Sequence, residues 1–94
     1  MNAKEAIEKA KAYVREIFAD EAPQDVGLEE IFHDPYGHRW DVTIGFTRKW
    51  DRPGGVAAAA LGLDARPVKR TFKTVEIRDE DGEVVGVRHW QAAA

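Results

Sequence analysis

Residues 39–55 read RWDVTIGFTRKWDRPGG, and this stretch decides the fold. Apolar side chains alternate with polar or small ones in its first half, and the apolar set is Trp40, Val42, Ile44 and Phe46. The other parity carries Arg39, Asp41, Thr43 and Thr47. A period of two is typical of a strand that buries one face and exposes the other. The pattern therefore predicts a central β-strand with a core face and a solvated face.

A second tryptophan, Trp50, lies beyond this regular pattern. Arg48 interrupts the apolar face before it, and a cluster of turn-forming residues, 51–55, follows it. Trp50 either closes the open end of the core, as large aromatic residues often do, or forms part of an exposed patch that contacts a partner. The exposure of Trp50 decides between these two interpretations.

The N-terminal residues predict an amphipathic helix over 2–19. Asn2 and Glu5 have the spacing of a capping box. Apolar residues then recur with the helical period at Ala3, Ile7, Ala10, Val14, Ile17 and Phe18. Pro23 prevents the helix from continuing. Because an amphipathic helix must bury its apolar stripe, we expect it to lie on a sheet.

The remaining chain predicts two hairpins, over 26–48 and 68–90, separated by a long loop of small residues over 49–67. The first strand of the first hairpin mixes its parity, since Val26, Leu28 and Phe32 share one parity and Ile31 has the other. Mixed parity indicates a β-bulge or an edge strand. The whole chain, 1–94, is predicted to be a single α+β domain in which one helix packs on a four-stranded antiparallel sheet.

Composition excludes several classes of function. The 94 residues contain no cysteine and no serine, so thiol nucleophiles and serine-based triads are impossible. The net charge is −3, so the chain lacks the basic excess of nucleic-acid binders. The basic run VKRTFK (68–73) is therefore interpreted as a solvated strand face. The chain shows neither an apolar signal sequence nor a membrane span. We therefore expect a cytoplasmic protein that binds neither membrane nor nucleic acid.

The three histidines, His33, His38 and His89, do not have a dense metal-ligand spacing. We interpret them as incidental surface residues and predict no metal and no cofactor. The favoured hypothesis is a non-catalytic protein-binding or accessory module, whose partner is another protein or a second copy of the chain. Its surface would comprise the 50–63 loop and Trp90, with Trp50, Arg52, Val56, Leu61, Leu63 and Tyr36 as candidate residues.

The alternative is a small-molecule site, or a small enzyme, between helix and sheet. Its polar groups would be His38, Asp41 or His89, in a cavity lined by Phe18, Trp40 and Phe46. The absence of a recognisable nucleophile or phosphate-binding loop favours the non-catalytic hypothesis.

The last hairpin carries a family resemblance. The run TVEIRDEDGEVVGVR (74–88), with its D-x-x-G-E-V turn, is similar to the closing strand, turn and strand of PepSY-type domains. The resemblance implies a small helix-plus-sheet module, more broadly cystatin-like, that binds or inhibits partners and does not catalyse. The chain departs from PepSY domains in lacking an export signal and in the insertion over 50–67. The resemblance transfers no functional residue.

Overall fold

The structure, a computed structural model, describes residues 1–51 and 69–90. Its elements are helix α1 (Ala3–Ile17), a 3₁₀ turn (Ala19–Glu21), and strands β1 (Gln24–Asp34), β2 (Arg39–Thr47), β3 (Thr71–Arg78) and β4 (Val84–His89). The four strands form an antiparallel sheet in the order β1-β2-β3-β4, and α1 packs on one face of it. The predicted α+β class is confirmed.

Helix α1 begins with the predicted capping box. The Asn2 side chain accepts a hydrogen bond from Glu5 N at 2.8 Å, and the Glu5 carboxylate accepts one from Asn2 N at 3.3 Å. Two N–H groups that the first helical turn leaves without intrahelical partners are thereby satisfied. The α-helix ends at Ile17, two residues before the predicted end, and residues 19–21 tighten into the 3₁₀ turn. In the ranges described, no helix has the length and apolar composition that a bilayer crossing requires.

The core lies between α1 and the two central strands. Its fully buried members are Ala6, Ala10 and Val14 from the helix, Val42, Ile44 and Phe46 from β2, and Val75 and Ile77 from β3. Alanines at the contact let the helix backbone lie close to the sheet, and the larger residues of the strands fill the space between them. This packing holds β2 and β3 against the helix.

A bulge in β1 accounts for the mixed parity in its sequence. Leu28 pairs with Ile44 and Glu30 with Thr43, so Glu29 is an extra residue in the ladder. Beyond the bulge, Ile31 packs against the core and Phe32 turns to the opposite face, where it is 58% exposed. The prediction of a bulged or edge strand is confirmed in both respects, because β1 is also an edge of the sheet.

The prediction of a solvated face on β2 is wrong at Thr43 and Thr47, which are both buried. The Thr43 hydroxyl forms a 2.8 Å hydrogen bond with the hydroxyl of Thr74, its partner on β3. Long side chains from the neighbouring strands, Glu30 and Arg88, stand in the same cross-strand row. Paired hydroxyls tolerate this burial because each satisfies the other. The period-two pattern of one strand does not show whether side chains of the neighbouring strands will cover its polar residues.

Candidate functional site

A groove of about 540 Å³ opens at the end of the sheet where β2 ends, β3 begins and β4 ends. We call it the corner groove, and its lining residues are Arg48, Trp50, Asp51, Lys69, Arg70, Thr71, Phe72, Lys73, His89 and Trp90. Three strand ends contribute to it, so its shape depends on the register of the sheet. Its volume falls within the range of pockets that bind small ligands.

Trp50 is exposed at the mouth of this groove. It follows the end of β2 and is 57% exposed, which favours a surface role over closure of the core. The Arg48 guanidinium lies 5.5 Å from the centre of its ring and also faces the rings of Phe18 and Phe46, at 5.1 and 5.8 Å. Arg48 Nε lies 3.4 Å from a carboxylate oxygen of Glu21. Cation–π contacts with Phe18 and Phe46 hold Arg48 against the core. Trp50 contacts the same guanidinium but lies outside the core.

Asp51 joins two of the strand ends that frame the groove. Its Oδ2 accepts hydrogen bonds from Arg48 N and from the Thr71 hydroxyl, each at 3.3 Å. Asp51 N in turn donates to Arg48 O at 2.9 Å. The carboxylate therefore ties the end of β2 to the start of β3, and sets the position of Trp50 relative to β3.

Trp90 borders the groove on the β4 side. Its ring packs against Phe72 with centroids 5.4 Å apart, and its backbone N–H donates to Phe72 O at 3.3 Å. The structure thus brings Trp50 and Trp90 to one groove. Tyr36 is 94% exposed in the turn between β1 and β2, at the opposite end of the sheet. Four further predicted surface residues, Arg52, Val56, Leu61 and Leu63, lie outside the described residues.

The described residues of the corner groove carry an excess of positive charge. Among them, four cationic side chains stand against one carboxylate, Asp51. Arg48 pairs with Glu21, and Arg70 lies 3.7 Å from Glu29. Lys69 and Lys73 form no ion pair with the rest of residues 1–51 and 69–90. Sequence reasoning missed these two lysines as site residues, although the basic run 68–73 was the available signal.

The sheet face opposite α1 carries a smaller groove of about 240 Å³, lined by Glu30, Phe32, Asp41, Thr43, Thr74, Arg88 and Trp90. Among its lining residues, Arg88 and Asp41 form ion pairs, whereas Glu30 forms none with the described residues. Arg88 Nε lies 2.6 Å from Glu76 Oε1, and the same guanidinium lies 3.7 Å from Asp41. Asp41 in turn lies 3.3 Å from Arg39 Nε. The cationic side chain of this groove is therefore already paired, which distinguishes this face from the corner groove.

The residues of the small-molecule hypothesis do not converge. Asp41 lies on the sheet face away from α1, His38 is exposed beside the β1–β2 turn, and His89 lines the corner groove. The Phe18 ring packs against Phe46 at 5.1 Å, and buried side chains occupy the centre of the helix–sheet interface. Residues 1–51 and 69–90 contain no group of three or more His, Asp or Glu side chains arranged to hold a metal ion.

Trp40 combines a packing role with a polar contact. It packs against the core cluster, and its indole N–H donates to Asp79 Oδ1 at 3.0 Å. The His33 ring stacks on the indole at 4.2 Å, and His33 Nε2 lies 3.1 Å from Asp79 Oδ2. The hydrogen bond from Trp40, followed by that from His33, holds the pKa of Asp79 below its usual value. These contacts tie the β3–β4 turn to β1 and β2.

The lowered pKa of Asp79 predicts acid sensitivity. A carboxylate with a folded pKa below the unfolded value of about 3.9 stabilises the fold above that pH, and the contribution disappears as the pH falls through the folded pKa. We expect Asp79→Asn to lose less stability than the wild type between about pH 5 and pH 3. Urea denaturation across this range measures the slope, with the exposed Asp20→Asn as the control. Equal slopes for wild type and Asp79→Asn would contradict the assignment.

Comparison of the chain with protein-family models, with curated proteins and with solved structures found no match in any of the three. The resemblance to PepSY and cystatin-like domains therefore stays a prediction from residues 74–88.

Proposed function

We propose that this chain is a non-catalytic protein-binding module that contacts its partner through the corner groove, with Trp50 and Trp90 as the main apolar contacts. The observation that carries the proposal is the 57% exposure of Trp50 beside a groove bordered by a second tryptophan. Tryptophan and arginine are enriched among residues that dominate binding energy, and a large exposed aromatic side chain is costly to leave in water.

The way the groove is built supports this proposal. Arg48 and Asp51 fix the ends of β2 and β3 through contacts within the chain, so that the walls are positioned before a partner arrives. A preformed site lowers the entropy lost on binding. The PepSY-like hairpin is in keeping with this role, because the resemblance implies partner binding without catalysis. A small-molecule site between helix and sheet has less support, since buried side chains fill the centre of that interface.

Selection from a random peptide library displayed on phage tests the proposal. Peptides that bind the wild type are expected to bind Trp50→Ser and Trp90→Ser at least about tenfold more weakly, because each substitution removes an aromatic wall. Fluorescence anisotropy measures the affinities, and circular dichroism checks that the variants remain folded. Tyr36→Ser, which removes an exposed aromatic residue at the other end of the sheet, is the matched control.

Two outcomes would count against the proposal. One is that the wild type enriches no peptide. The other is that enriched peptides bind Trp50→Ser and the wild type equally well. The solution mass of the wild type and of Trp50→Ser, measured over a range of concentrations, shows whether the partner is a second copy of the chain.

A further inference from the structure

We propose that the partner segment held by the corner groove is acidic and belongs to a different protein. This inference rests on the proposed function, because it specifies the chemistry of the partner at the same groove. Lys69 and Lys73 line the groove without an ion-pair partner among the described residues, in a chain whose net charge is −3. A local excess of positive charge on an acidic protein is a strong signal of charge complementarity toward a partner.

Three carboxylates of described residues, each in the groove's lining or in contact with it, are already engaged. Glu21 pairs with Arg48, and Glu29 pairs with Arg70. Asp51 accepts hydrogen bonds from Arg48 and Thr71. The two lysines are therefore available to carboxylates from outside, and Trp50 beside them offers an apolar surface. The segment that fits carries carboxylates together with an apolar or aromatic residue.

A second copy of this chain fits the groove less well. Its most acidic stretch is the β3–β4 turn, residues 79–83, which holds four carboxylates. Three of these already have partners, because Asp79 accepts from Trp40 and His33, and Arg78 lies 2.9 Å from Asp81 and 3.6 Å from Glu83. Drawing these carboxylates into another molecule would break the contacts that form the turn.

A nucleic acid fits less well for a different reason. Affinity for a phosphate backbone grows with the number of phosphates that the protein neutralises. Two lysines without an ion-pair partner among the described residues provide few such contacts on an acidic protein, whereas they suffice for two carboxylates of a short peptide segment. We therefore assign the groove to an acidic peptide segment.

A short fluorescein-labelled peptide in which glutamates alternate with tyrosine and leucine is the probe, and fluorescence anisotropy is the measurement. We expect the wild type to bind it, and the double variant Lys69→Glu/Lys73→Glu to bind about tenfold more weakly, because two attractions become repulsions. The matched control is Lys4→Glu/Lys9→Glu, which has the same net charge but changes exposed residues of α1. The Lys69→Glu/Lys73→Glu variant is also expected to bind a version of the peptide with lysine in place of glutamate, and this binding shows that the variant remains folded.

Several outcomes would overturn the inference. Two of them concern the lysines: equal weakening in both double variants, or unchanged affinity in Lys69→Glu/Lys73→Glu. The other two concern the partner: tighter binding of a labelled oligo-deoxythymidine than of the peptide, or self-association that displaces the peptide. These outcomes can be distinguished from a failure of the proposed function. If library peptides need Trp50 but not the lysines, the groove binds protein segments and only the acidic assignment is wrong.

Discussion

Replacing Phe46 by alanine is expected to lower the free energy of unfolding by about 3–5 kcal/mol, the range typical of phenylalanine removed from a packed core. Phe46 is fully buried between α1 and the sheet, and its ring lies 5.1 Å from that of Phe18. Truncation leaves a cavity that the surrounding strands cannot close. The midpoint of urea denaturation, with an unchanged slope, measures the loss.

Phe32→Ala is the matched control for this prediction. It removes the same atoms from a side chain that is 58% exposed on the opposite face of the sheet, so the expected loss is under about 1 kcal/mol. Similar losses for the two variants would mean that the helix-side face of β2 is not the core. Phe46→Ala also removes one of the rings that Arg48 faces, so we expect it to weaken peptide binding at the corner groove.

The two phenylalanines differ in how far the local sequence predicts their burial. Phe46 belongs to a strict alternation, which predicts its burial without knowledge of the neighbouring strands. The side of the sheet on which Phe32 lies depends on the extra residue Glu29, and the sequence indicated a bulge without locating it. Local periodicity therefore predicted the helix, the central strand and the α+β class, whereas facing directions beyond an irregularity required the register.

The corner groove depends still more on register. Its residues come from 48–51, 69–73 and 89–90, which are distant in sequence and meet only because three strand ends lie side by side. The sequence grouped Trp50 with Trp90 as apolar residues near strand ends. For the lysines of 68–73 the sequence predicted only an ordinary solvated strand face. A basic run does not show which residues will surround it in the folded chain. Charge complementarity is a property of the assembled surface.

The buried threonine pair gives the second large prediction. Thr43→Val leaves the Thr74 hydroxyl without its partner in a buried site, and we expect a loss of about 1–3 kcal/mol in the free energy of unfolding. Thr74→Val is expected to cost a similar amount for the same reason. The double variant Thr43→Val/Thr74→Val removes both polar groups while keeping their shape, so its stability should return close to that of the wild type.

This double-mutant cycle distinguishes two descriptions of the sheet face opposite α1. If the face were freely hydrated, water would replace each lost hydroxyl partner, and the single variants would cost little and add in the double. Urea denaturation of the four proteins gives the coupling energy, and a double variant as unstable as the sum of the singles would contradict the buried pair. Strong coupling would mean that the two hydroxyls are shielded from water although they border the smaller groove, with Asp41, Glu76 and Arg88 ion-paired nearby. The proposed binding surface is a separate one, the corner groove, where Lys69 and Lys73 form no ion pair among the described residues and Trp50 is exposed.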